Sequence, residues 1–232
     1  MKKIELLILP IVFLITIIIM IFTKDNKIYY LSLGDELSKG INYNNYEGIG
    51  YSDFVKEFLE KNNKLKYYTK EFSDTDIRTK DLILKIKNNE EKNMPIQNAL
   101  KKSDLITISI GLNEIYTKYL ANNIENEIYD YIDEMMYNLK DLINLIKKYN
   151  NKEIIFIGYY NPKNEKDLDK YILYANNKLD EICNKTNIKY VNIYNIFKSN
   201  AHLIYNLNNI YPNTDGYILI AKEVIKSIKK RK

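Results

Sequence analysis

The sequence holds one cysteine, one histidine and no tryptophan in 232 residues. A lone Cys183 excludes an intrachain disulfide, and with His202 as the single histidine a zinc or iron–sulfur site has too few ligands. Cys183 falls with Leu168, Ile172, Ala175, Leu179 and Ile182 on the apolar side of a helical pattern, so it reads as a small buried hydrophobe rather than a reactive thiol. Neither sign of charge predominates, with 35 Lys and Arg against 30 Asp and Glu. The net charge is +5, much of it at Lys2, Lys3 and residues 229–232, and no nucleic-acid motif accompanies it, so the tail reads as a solvated helix end. The hydrophobic fraction of 46% and charged fraction of 28% are ordinary for a globular chain and argue against long disorder. Lys, Asn, Ile and Tyr dominate; the 22 tyrosines reflect the bias of an AT-rich genome rather than a binding stripe.

Residues 6–22 form an uninterrupted uncharged run, preceded by Lys2 and Lys3 and ended by Lys24, Asp25 and Lys27. Seventeen residues at about 1.5 Å each reach ~25 Å, the short end of what spans a bilayer. No small-x-small cleavage site follows, and no cysteine stands where a lipoprotein would be acylated. The expectation is an uncleaved signal anchor and short linker over residues 1–26, a single pass through the cell membrane with the domain of residues 27–232 on the extracytoplasmic side.

From residue 27 onward, short apolar runs alternate with helical periods. Strands are predicted at residues 28–33, 65–70, 105–110, 154–158 and 190–193, and helices at 51–61, 79–87, 124–149, 167–184 and 216–229. In the third helix Ile128, Ile132, Met135, Leu139, Leu142 and Ile146 recur at intervals of three and four, lining one face. Strands separated by helices predict a parallel sheet covered on both faces, with ligands beyond the carboxyl ends of its strands. The residues that follow each strand are therefore the informative ones.

After the first strand comes Leu33-Gly34-Asp35-Glu36-Leu37-Ser38; after the third, Ile110-Gly111-Leu112-Asn113-Glu114; and before the last helix, Ile210-Tyr211-Pro212-Asn213-Thr214-Asp215-Gly216-Tyr217. In this order and at these places the three segments resemble the Gly-Asp-Ser-Leu, Gly-x-Asn-Asp and His-Pro-Asn blocks of the SGNH/GDSL hydrolases. The resemblance covers residues 27–230. It implies a flavodoxin-like three-layer α/β/α sandwich with a five-stranded parallel sheet in the order 2-1-3-4-5, the SGNH hydrolase fold, and no cofactor.

The resemblance also implies an ester-hydrolysing serine, a histidine base and an aspartate three residues before it. The oxyanion is then held by the serine N–H, a second-block glycine N–H and a third-block asparagine side chain. Position by position, the nucleophile place holds Glu36, the aspartate place Asn208 and the histidine place Tyr211. Asn113 and Gly111 stand where the third block requires them. The second block aligns through Arg78-Thr79-Lys80-Asp81-Leu82, which puts Asp76 at the glycine. A tyrosine, with an ordinary pKa near 10, is a poor base at neutral pH, and Asn208 carries no charge to support one.

Three readings follow. One is a surface protein that has lost ester hydrolysis and binds a small molecule, glycan or lipid in the old cleft. Another is an active hydrolase or acyl transferase with a rearranged site, in which Ser38 and His202 act together. The last is a divalent-cation or cationic-ligand site among Asp35, Glu36 and Glu114.

Overall fold

A computed structural model describes residues 27–42, 44–121, 124–163, 165–204 and 210–229. The expected anchor over residues 1–26 and the aspartate-equivalent Asn208 lie outside the described residues. Among those described, no helix is long and apolar enough to cross a membrane.

Five strands form one sheet: β1 (Ile28–Gly34), β2 (Leu65–Thr69), β3 (Leu105–Ser109), β4 (Glu153–Ile157) and β5 (Lys189–Val191). All pair in parallel, in the order β2-β1-β3-β4-β5 expected from the sequence. Every residue of β3 is buried, as are the last five of β1. Successive side chains of a strand point to opposite faces, so both faces of the sheet are covered.

The cover is built from amphipathic helices. Besides α1 (Glu36–Lys39), these are α2 (Tyr51–Lys61), α3 (Thr79–Lys87), α4 (Ile96–Lys102), α5 (Leu112–Leu120), α6 (Glu125–Tyr149), α7 (Lys166–Thr186), α8 (Tyr194–Lys198) and α9 (Thr214–Lys229), with a 3₁₀ turn at Ala201–Leu203. Helix α6 buries all six residues of the predicted stripe, together with Met136 and Ile143. It packs against α3 on one side and α7 on the other, while α2 and α9 pack together. Cys183 is fully buried in α7, and burial pushes its thiol up to about 12, which fits the inert role read from the sequence.

Strand ends converge because of two backbone devices. Gly34 closes β1 at φ +129°, where an added Cβ would lie 1.8 Å from the Ser109 carbonyl oxygen, so only glycine lets β1 run this close to the end of β3. The loop after β2 is then tied to the same point: Ser73 bridges Gly34, the Asp74 N–H donates to the Gly34 carbonyl at 3.1 Å, and Ser73 Oγ donates to the Ser32 carbonyl at 3.2 Å. The ends of β1, β2 and β3 thus meet at the carboxyl edge of the sheet.

Candidate functional site

Asp35 caps α1, its Oδ1 accepting from the Leu37 N–H at 3.2 Å and from Ser109 Oγ at 3.1 Å. That cap turns the next residue, Glu36, toward the second and third loops. Glu36 is only 2% exposed. Its Oε1 accepts from the Asp76 backbone N–H at 2.7 Å and from Asn113 Nδ2 at 3.2 Å, and its own backbone N–H adds to these donors.

Asp76 has φ +56°, a left-handed conformation that glycine adopts without strain and aspartate tolerates better than most residues. Its conformation and the aim of its N–H both match what the second-block glycine has to provide. Gly111, at φ +110°, starts α5 where an added Cβ would meet Tyr159 Oη at 2.8 Å, and this turn delivers Asn113 to Glu36.

The last block is fastened beside them. Tyr160 Oη donates to the Ile210 carbonyl at 2.5 Å while its ring stacks on Phe197 at 4.1 Å. Asn213 caps α9 by accepting from the Gly216 N–H at 2.9 Å, and Tyr217 Oη donates to the Ile41 carbonyl at 2.5 Å. Half-buried Tyr211 therefore stands in the field of the first and second loops. Its hydroxyl is held well above the usual tyrosine range, first by burial and then by the charges of Glu36, Asp76 and Asp35. A phenol shifted in that direction is even less available as phenolate at neutral pH, and so less able to serve as a general base.

The carboxyls themselves are perturbed. Burial, followed by the like charge of Glu36, holds Asp35 far above the ordinary range. Glu36 is raised by burial against the opposing pull of the Asp76 and Asn113 hydrogen bonds.

The expected partners Ser38 and His202 do not meet. Ser38 has no exposed surface; its Oγ donates to the Leu33 carbonyl at 2.6 Å and lies 2.8 Å from Ser109 Oγ and 3.1 Å from Tyr51 Oη. It belongs to a chain of hydroxyls beneath the cleft that continues through Tyr51 to Ser32, Thr107 and Tyr30. His202 is exposed on the 3₁₀ turn, where its carbonyl accepts from Asn213 Nδ2 at 2.7 Å.

The acidic cluster likewise divides. Glu114 Oε1 accepts from the Thr79 N–H at 2.8 Å and Thr79 Oγ1 at 2.6 Å, and its Oε2 accepts from Tyr131 Oη at 3.3 Å. This carboxylate fixes the start of α3 against α5 and α6. It raises Tyr131, after burial, to about 12. Asp35 and Glu36 have their own protein donors, and among the described residues no group of three or more His, Cys, Asp or Glu could hold a metal ion. The three carboxylates expected to form a cation site, Asp35, Glu36 and Glu114, are therefore not gathered into one cluster: Glu114 turns to Thr79 and Tyr131, away from the donors that hold Asp35 and Glu36.

An open groove of ≈ 420 Å³ runs from Asn113 and Asp76 past Arg78, Glu114, Lys118 and Tyr131. Nothing in the sequence pattern marks Tyr131 or Lys118 as groove residues. Ser109 left a trace, as one of two polar residues, with Thr107, in a mostly apolar strand.

A GDSL-like Lipase/Acylhydrolase family model matches residues 32–219, and the chain belongs to that family, within the SGNH hydrolases. It is 25% identical over 221 residues to the uncharacterized protein YpmR of Bacillus subtilis (strain 168), covering 90% of this chain and 84% of that one. Among solved structures it is similar to the lipase Lip_vut3 from a goat rumen metagenome, with TM-score 0.73, 19% identity and coverage of 87% of this chain and 98% of the other. It is also similar to Axe2, an acetylxylan esterase from Geobacillus stearothermophilus, with TM-score 0.68, 20% identity and coverage of 86% and 93%. Matched structures of that esterase include catalytic mutants in which a serine, an aspartate or a histidine is replaced by alanine.

Proposed function

We propose that this protein is a membrane-anchored, non-hydrolytic member of the family that binds a small-molecule, glycan or lipid component of the cell envelope in the former active-site cleft. One observation carries the reading: the nucleophile place is filled by the Glu36 carboxylate, hydrogen-bonded to Asn113 and the Asp76 N–H, with Tyr211 beside it. A carboxylate 2% exposed and already engaged by two donors has no open face for attack on an ester. Tyr211 has no tendency to take up a proton at neutral pH, and Asn208, the residue three positions earlier, has no charge to orient a base. In triad hydrolases, loss of single members costs roughly 10⁴ to 10⁶ in turnover and the losses are not additive, so replacement at all three places leaves ester hydrolysis lost or strongly reduced.

The ligand-binding part rests on the groove beside Asn113, which offers a cation at Arg78, an aromatic ring at Tyr131 and the amide of Asn113 itself. The anchor rests on the uncharged run of residues 6–22 ahead of a self-contained domain.

Two measurements test the catalytic half. The purified protein should resist labelling by a fluorophosphonate probe and turn over short-chain aryl esters no faster than a heat-treated control. Labelling that disappears on alanine substitution of one hydroxyl residue would overturn the reading. The triple variant Glu36→Ser, Asn208→Asp, Tyr211→His should gain measurable turnover that none of its single substitutions shows. For the anchor, protease added to intact spheroplasts should digest the domain, and full protection would refute an extracytoplasmic placement.

A further inference from the structure

We infer that the Glu36 side chain is a tethered ligand of the chain's own oxyanion site, and that the donor set of Asp76 N–H and Asn113 Nδ2 is a receptor for a small carboxylate that Glu36 keeps filled. This rests on the non-hydrolytic reading above. Both donors converge on a single oxygen, Oε1, at 2.7 and 3.2 Å. In an ester hydrolase such donors face the oxygen that becomes negative during reaction. Here they face a carboxyl group supplied by the residue at the nucleophile place.

The arrangement is specific rather than a chance surface contact. Glu36 is 2% exposed, the helix it opens is capped by Asp35, and the Asp76 N–H is presented by a backbone at φ +56°. No lysine or arginine pairs with this carboxylate among the hydrogen bonds and ion pairs of the described residues; its charge is met by amide donors alone. Amide donors arranged in this way suit a planar carboxylate as well as a tetrahedral oxyanion. With the hole filled from within, a ligand in the neighbouring groove is recognised beside Glu36 and not in the hole.

Cutting the side chain back to its Cβ frees the site. Glu36→Ala removes the CH₂–COO⁻ unit, which free acetate replaces atom for atom. In the purified full-length variant, acetate should raise Tm by about 3 to 6 °C at ten times its Kd, compared with chloride at equal ionic strength. Neutral acetamide should do less, and the wild type should not distinguish acetate from chloride. Adding Asn113→Ala to Glu36→Ala should weaken the acetate effect. A Glu36→Ala protein that behaves alike in acetate and chloride, or a wild type that responds as strongly, would overturn the inference.

Should Glu36→Ala fail to fold, the isosteric Glu36→Gln gives a second readout. The amide proton of Asp76 should show a pH-dependent step in the wild type that is lost or much reduced in Glu36→Gln. Identical titration curves in the two proteins would also overturn the inference. These results are independent of catalysis. Ester turnover by the wild type would remove the non-hydrolytic reading without touching the acetate response, and acetate indifference would remove the tethered ligand with turnover still absent.

Discussion

Substituting Asn113 by alanine isolates the energy of holding a charge in this cleft. The lost bond is Nδ2 to Glu36 Oε1 at 3.2 Å, with the acceptor buried and the Asp76 N–H left as partner at 2.7 Å. A hydrogen bond to a charged group contributes about 1.5 to 3 kcal/mol, and the length of this one places it near the lower end, ~1.5 kcal/mol. For a domain of this size that corresponds to a fall in Tm of roughly 3 to 6 °C. The decisive feature is its pH dependence. Asn113 stabilises the ionised form of Glu36, so removing it raises the folded-state pKa further above the unfolded value. The extra cost is therefore absent where Glu36 is protonated and grows as the pH rises. At acid pH only a neutral hydrogen bond and some packing are lost, ~0.5 to 1 kcal/mol. Urea unfolding of wild type and Asn113→Ala at pH 4 and pH 8.5 measures both terms, because packing losses do not change with pH. Equal costs at the two pH values would refute the assignment of Asn113 to a charged Glu36.

Three further outcomes are expected. Asp35 and Glu36 have folded-state pKa values above the ordinary carboxylate range, so their contribution to stability is fully present below about pH 4 and is lost as the pH rises through the raised values. Glu36→Gln should accordingly show a flatter decline than the wild type between pH 4 and 7 in chemical denaturation, and parallel curves would count against it. At Asp76, with φ +56°, substitution by glycine should cost nothing or gain up to ~1 kcal/mol, whereas alanine should cost about 1 kcal/mol; indistinguishable variants would contradict the strained backbone. Gly34→Ala should yield no folded protein by circular dichroism, since its Cβ would fall 1.8 Å from the Ser109 carbonyl oxygen, and a cooperative melt near the wild-type Tm would refute that close approach.

The sheet was legible because buried parallel strands leave short apolar runs, and all five were located to within a residue or two. Helices longer than two turns were equally visible through their stripes, with α2 and α3 matching at both ends. The short α1, α4 and α8, of four to seven residues, were not predicted, because they carry too little period to separate a helix from a loop; the nine-residue α5, as long as α3, is an exception that was also not predicted. In the cleft, the order of three motifs singled out Glu36, Asn113 and Tyr211, which lie near one another in the structure. Asp76 was reached only by counting, and its role became visible in the backbone angle and the direction of its N–H. Glu114 shows the limit of such reading. A carboxylate next to Asn113 reads equally well as a metal ligand or a solvated side chain, and neither reading anticipates its bonds to Thr79, which depend on where α3 starts relative to α5.

The same donors account for why glutamate suits the nucleophile place of this scaffold. Amide groups that converge to hold negative charge leave a local deficit when nothing anionic is present, and each buried donor without an acceptor costs about 1 to 3 kcal/mol. A serine at residue 36 would leave the Asp76 N–H and Asn113 Nδ2 to water between reaction cycles. Glu36 meets both permanently, at the expense of burying a charge whose pKa rises in response. Replacement of the nucleophile by a hydrophobe would leave those donors unmet, and replacement by lysine would set a cation against them. The carboxylate thus completes the hydrogen bonding of the Asp76 and Asn113 donors, and the proposed loss of ester chemistry at this site follows from the same pair of bonds.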